Sequence, residues 1–232
     1  MEEYPKKSAK DNVNTALKAV VSAISPAGLP LSILFETIFS SPIEKRKEKW
    51  FKSLGAAITE LTERVDDLTA ESLSLDEKFV SISLQATQIA LRNHQEEKLK
   101  ALRNCIINSV IHTNIDENKA LMFTRIIDEI TPLHIKLLSF LKNPAIIEEK
   151  LQSRENKRSS IQSSRTSYSS NSEIWYEYNP NLEDSGFLIN YIVRDLNLKG
   201  FISTDNINMG HGTVITDFGR EFFEFINDTE KI

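Results

Sequence analysis

The residues able to do chemistry are few and widely spaced. His112 and Asp116 stand four apart, a spacing that puts both side chains on one helix face. A metal site needs three or four ligands, and no others converge on this pair in sequence. His94 and His134 lie near expected helix starts, where polar residues serve the backbone, and His211, between Gly210 and Gly212, reads as a turn residue. Cys105, the single cysteine, sits among Leu102, Ile106 and Ile107 with no histidine beside it, which predicts a buried, inert thiol rather than a nucleophile. Glu96-Glu97 and Glu148-Glu149 read as charge pairs on solvent faces. Acid–base chemistry needs carboxylates whose surroundings push their pKa values apart, and nothing in the sequence points to that. There is no glycine-rich phosphate loop. With no catalytic motif, the chain reads as non-enzymatic, and neither a cofactor nor a metal is expected.

The elements that would position any site are predominantly helical. Seven glycines and seven prolines in 232 residues suit long helices better than a turn-rich β fold. Val13, Leu17, Val20, Val21 and Ile24 form a helical stripe, which Pro26, Gly28 and Pro30 interrupt. Ser41-Pro42-Ile43-Glu44 is a helix start, with serine as cap, proline at the first position and glutamate able to close a capping box. The helix it opens carries Ile43, Trp50, Leu54, Ala57, Leu61, Val65 and Leu68 at spacings of three and four. That pattern predicts a coiled-coil-like seam over 43–68, with Trp50, Leu54, Leu61, Val65 and Leu68 as oligomer contacts. Further starts at Ser74, Asn93 and Asp116 complete an expected antiparallel helical bundle over residues 1–130.

A second part is expected over 131–232. Thr131-Pro132 and Asn143-Pro144 open two more helices. Residues 153–172 hold nine serines and almost no apolar side chains, the composition of a mobile insertion. The aromatic run Ile174-Trp175-Tyr176-Glu177-Tyr178 predicts a short strand. A helix follows from Leu182 to Leu198, with Phe187, Ile189, Ile192, Val193 and Leu196 as its apolar pattern, and Gly200 ends it. Phe201-Ile202 and Val214-Ile215 read as paired strands, and Thr216 caps a last helix bearing Phe218, Phe222, Phe225 and Ile226. This order, with Leu198-Lys199-Gly200-Phe201-Ile202 and Thr216-Asp217-Phe218-Gly219-Arg220 as its marks, resembles the second half of a winged helix-turn-helix domain.

DNA binding is what that resemblance implies, and charge argues against it. Residues 131–232 carry 11 basic and 14 acidic side chains, and the hairpin tip 204–213 has no lysine or arginine. A DNA reader must bring cations to phosphates. The available cations are Arg194 and Lys199 on the helix and Arg154, Lys157, Arg158 and Arg165 in the serine-rich stretch; these are the candidate contacts to a partner or nucleic acid. A protein partner or a homo-oligomer is expected first. Residues 19–35 carry no charge over 17 positions but are cut by two prolines and a glycine, so a simple transmembrane span is not expected. Membrane-surface contact through Leu29, Leu31 and Ile33, with Lys45, Arg46 and Lys47 facing headgroups, is the alternative to burial in a core. The charged start of the chain and its lone cysteine fit the cytoplasm.

Three motifs also carry a family resemblance: Ile24-Ser25-Pro26-Ala27-Gly28, then Ile130-Thr131-Pro132-Leu133-His134-Ile135-Lys136-Leu137-Leu138, then Thr216-Asp217-Phe218-Gly219-Arg220-Glu221-Phe222. Their layout resembles a loose group of bacterial proteins described as Abi-alpha, or abortive-infection-like. The resemblance implies a role in defence against phage and supplies no functional residue. The resulting expectation is a non-enzymatic interaction or regulatory protein, with a winged-helix DNA-binding regulator and a membrane-active effector using residues 19–35 as alternatives.

Overall fold

The computed structural model describes residues 41–112, 114–158, 170–204, 209–210 and 212–227. The chain divides into two compact units, residues 1–52 and 53–232. Among the described residues it is mainly helical, with ten α-helices, one 3-10 helix and one two-stranded antiparallel sheet. The order is α1 (Ser41–Arg64), α2 (Ala70–Leu75), α3 (Glu77–Arg92), α4 (Glu96–Ile111), α5 (Glu117–Glu129), α6 (Pro132–Lys142), α7 (Pro144–Arg158) and α8 (Asn171–Tyr178). A 3-10 helix (Pro180–Ser185) then leads into α9 (Gly186–Leu198), β1 (Ile202–Ser203), β2 (Val214–Ile215) and α10 (Asp217–Ile226).

Helix ends follow side-chain chemistry. Asp76, Asp116 and Thr216 accept hydrogen bonds from the backbone amides of Phe79, Lys119 and Gly219, each satisfying a donor that has no partner inside its helix. At Thr131 the residue three positions on is His134 rather than the usual Glu or Gln, and its Nδ1 accepts from the Thr131 amide at 3.1 Å. Gly200, with φ +76°, ends α9. The amides of Gly200 and Phe201 then donate to the carbonyls of Asn197 and Leu196, a left-handed stop that glycine adopts without steric cost.

Several sequence expectations are corrected. The aromatic run at 174–178 belongs to helix α8, not to a strand: Ser170 caps it, and Ile174 and Trp175 are buried on its inner side. The helix opened at Ser41 stops at Arg64 rather than continuing to 68, and Asp67 takes a left-handed turn at φ 64°. α7 runs into the serine-rich stretch as far as Arg158, and α8 begins at Asn171, so the expected insertion is helical at both edges. No division of compact units falls at 130/131. Instead α4 packs on α10, α5 touches the same helix through Lys119–Glu221 at 3.0 Å, and α6 contacts α4, α9 and β2.

That junction is built from amides and rings. Asn104 Nδ2 donates to the Ile226 carbonyl at 3.0 Å, and Asn108 Nδ2 donates to those of Phe225 and Asn227, both at 2.9 Å. Carbonyls at the end of α10 that have no partner inside their helix are thereby satisfied from α4. Phe123 of α5 lies 5.3 Å from Phe222 and 5.7 Å from Phe225 of α10, and Phe201 stacks on Phe222 at 4.4 Å. Gly219 makes the stacking possible. A Cβ there would fall on the Phe201 carbonyl oxygen and within 2.7 and 2.9 Å of its C and Cα.

Gly219→Ala is therefore expected to lower stability by about 2–3 kcal/mol, as overpacking against backbone does. Asn108→Ala should cost about 1–3 kcal/mol through unsatisfied buried carbonyls. Urea unfolding measures both, and a change below about 0.5 kcal/mol in either contradicts this packing.

Candidate interaction surface

α9 has two different sides. Ile189, Ile192, Val193 and Leu196 are buried. Phe187, Leu188, Tyr191 and Leu198 are exposed to 89, 48, 61 and 75 %. Arg194 lies among them and is exposed as well. Positions 187, 191, 194 and 198 are spaced four, three and four, the spacing of a helix–helix seam on the side facing away from the core. Phe187, Tyr191 and Leu198 line one side of the helix with Arg194 between the last two and Leu188 at the edge, a concentration of large exposed apolar side chains that marks an interaction site more often than scattered ones do. Of the apolar pattern expected for this helix, Phe187 faces outward while Ile189, Ile192, Val193 and Leu196 face the core. Sequence reasoning missed this second stripe because the buried pattern on the same helix already satisfied the periodicity.

The flank of α9 is anchored by charge. Lys199 Nζ donates to Glu129 Oε2 at 2.9 Å and stands 3.8 Å from Asp195 Oδ1. The hydrogen bond to Glu129 raises the Lys199 pKa above the usual lysine value. Asp195 Oδ2 lies 3.3 Å from Nε2 of the buried His134, outside good hydrogen-bonding geometry. Nearby, the buried Lys98 donates to the Asp128 carbonyl at 2.9 Å, and Arg92 donates to the Asp128 carboxylate at 2.8 Å. The termini of α4, α5, α6 and α9 thus meet in one polar cluster.

Burial lowers the His134 pKa below its ordinary value near 6.5, outweighing the opposing pull of Asp195, and Lys199 and Lys98 lower it further. The same cause, burial, lowers the pKa of Lys98. Cys105 is buried with its thiol pKa pushed well up, chiefly by desolvation.

The other expected site residues are dispersed. Of the nucleic-acid candidates, Lys199 is held by Glu129 and Asp195, while Arg194 projects outward. Arg154, Lys157 and Arg158 fall at the end of α7, and Arg165 lies outside the described residues. Lys45, Arg46 and Lys47 belong to the first turns of α1, whereas Leu29, Leu31 and Ile33 lie outside the described residues. No helix among the described residues is long and apolar enough to cross a membrane. The expected oligomer seam is turned inward: Trp50, Leu54 and Leu61 are buried, and Val65 and Leu68 are half-buried.

His112 is the C-cap of α4 and Asp116 the N-cap of α5. No group of three or more His, Cys, Asp or Glu among the described residues is placed to hold a metal. An open groove of about 590 Å³ runs between the second half of α1 and α4, lined by Ala57, Glu60, Arg64, Arg103 and Ile107 among others. Its charges are partnered, Arg64 with Glu60 at 3.4 Å and Arg103 with Ser53 at 3.3 Å, and it holds no nucleophile–base pair. Comparison with protein-family models, curated proteins and solved structures finds no match for the chain.

The anchoring cluster has a pH signature. A histidine whose folded pKa is depressed binds its proton more readily in the unfolded chain, so stability falls as pH drops below about 6.5. His134→Gln keeps an acceptor for the Thr131 amide and removes the titration. The stability difference between the wild type and this variant should therefore shift against the wild type from pH 7 to pH 5. Parallel pH profiles in urea unfolding contradict a depressed His134.

Proposed function

We propose that the chain is a non-enzymatic protein-interaction module whose docking element is the outer face of α9. The observation that carries this reading is the exposure of Phe187, Leu188, Tyr191 and Leu198 along one side of a helix whose opposite side is fully packed. The run α9, Gly200, β1, β2, Thr216, α10 resembles the second half of a winged helix, in which the helix before the hairpin is the one that meets the ligand. In this chain that helix offers apolar surface rather than donors and cations. Lys199 is tied back to Glu129 and Asp195, leaving Arg194 as its exposed cation among the described residues. A phosphate backbone rewards several cations, whereas a protein surface rewards buried aromatic anchors such as Phe187 and Tyr191.

The Abi-alpha-like motifs supply the biological setting of the proposal, defence against phage. Two of them also have direct structural work: Thr131 and His134 form the cap of α6, and Thr216 and Gly219 form the start of α10 and its close approach to Phe201.

The test is capture from the cell of origin with wild-type and Phe187→Asp baits, an untagged copy of the chain counting as a captured protein. Phe187→Asp should leave the unfolding free energy within about 0.5 kcal/mol of wild type, since the site is exposed, and should reduce recovery of the bound protein at least tenfold. The proposal is contradicted if every captured protein is recovered equally by both baits. It is equally contradicted if genomic DNA binds with a salt-dependent affinity that Arg194→Ala removes.

A further inference from the structure

We infer that the occupant of this face is a second copy of the chain, its α9 lying antiparallel to the first across a two-fold axis. This rests on α9 being the docking face and adds the identity of what docks. The stripe is palindromic. Residues 187 and 198 are equally distant from the midpoint between 192 and 193, and so are 191 and 194. An antiparallel pair centred there sets Phe187 against Leu198 of the other copy and Tyr191 against Arg194, twice over. That is the self-complementarity an isologous interface requires.

The charges choose the orientation. Positions 187, 188, 191, 194 and 198 carry no carboxylate, and Arg194 is their one cation. A parallel pair would set the two Arg194 side chains against each other. The antiparallel pair offsets the two guanidiniums by three residues, about 4.5 Å along the axis, and places each over a tyrosine ring, which attracts it. Asp195, on the flank, is already engaged with Lys199 within its own copy.

The area is that of a small interface. At full burial the exposed parts of Phe187, Leu188, Tyr191 and Leu198 come to roughly 500–600 Å² per copy, so a pair covers at most about 1,000–1,200 Å², the low end for a specific interface and the size of a weak, transient one. The α9 helix itself is 13 residues, about 20 Å long, enough for the whole stripe to engage at once.

Sedimentation velocity of the full chain from about 1 to about 100 µM spans a micromolar Kd. The expected result is a monomer–dimer equilibrium, with Phe187→Asp and Leu198→Asp each weakening association at least tenfold while circular-dichroism melting, recorded well below the wild-type Kd so that dimerisation adds no stability, is unchanged. Register is read by oxidation. A mixture of Phe187→Cys and Leu198→Cys chains should give a cross-linked dimer, and neither variant alone should do so, Cys105 being buried. A wild type that stays monomeric throughout, a dimer indifferent to both aspartates, or cross-linking of either cysteine variant by itself overturns the inference. If the chain is monomeric while capture from the cell still depends on Phe187, only the second copy is overturned. If both dimerisation and Phe187-dependent capture are absent, the docking face falls with it.

Discussion

What α9 presents outward depends on how firmly it is held inward. Ile189, Ile192, Val193 and Leu196 are buried, and burial of such side chains supplies about 1.5–3 kcal/mol each. Close packing of these side chains sets the rotation of the helix. The polar flank adds a tie at its end: Lys199 reaches Glu129 at the end of α5 and Asp195 within α9 itself. The orientation of the stripe follows from this packing, and the apolar side chains outside need no partner within the chain to stay in place.

The same economy of ties makes residues 53–232 one unit rather than two. The end of α10 is capped by Asn104 and Asn108 on α4, more than 110 residues earlier in the chain. Phe123 on α5 is packed among Phe218, Phe222 and Phe225 of α10. The hairpin is joined to α8 through Asn171, whose amide donates to the Thr213 carbonyl at 3.1 Å. With both ends of the unit interlocked in this way, the outward side of α9 is left as surface with no structural task of its own.

Local signals were legible where one residue decides the outcome. Ser41-Pro42, Asp116, Thr131-Pro132, Gly200 and Thr216 each mark an element end found within a residue or so of its place. The sheet pairs Ile202 with Ile215, one residue along from the expected first strand. Errors arose where tertiary context decides. Residues 174–178 have strand-like composition, yet Trp175 packs edge-on against Phe140 at 5.3 Å from a helix capped by Ser170. The stripe through Leu54 and Leu61 has the spacing of an oligomer seam, and that spacing cannot distinguish a partner helix in another chain from cover supplied by the same chain. Asn104 and Asn108 gave no signal, because an amide in a helix looks like surface until its long-range acceptors are known. Phe187 was visible as an apolar residue but not as an outward one.

Hydroxyl-radical footprinting tests the central claim most directly, because it reads the cover over individual side chains whatever supplies it. The chain is compared when purified and dilute, when purified and concentrated, and in its native extract. Oxidation of Phe187 and Tyr191 is expected to fall several-fold in the concentrated sample or the extract relative to the dilute one, while Leu75 and Leu84, exposed elsewhere on the surface, react equally in all three. Equal reactivity of Phe187 and Tyr191 under every condition would contradict it, since α9 would then be an apolar face that nothing covers.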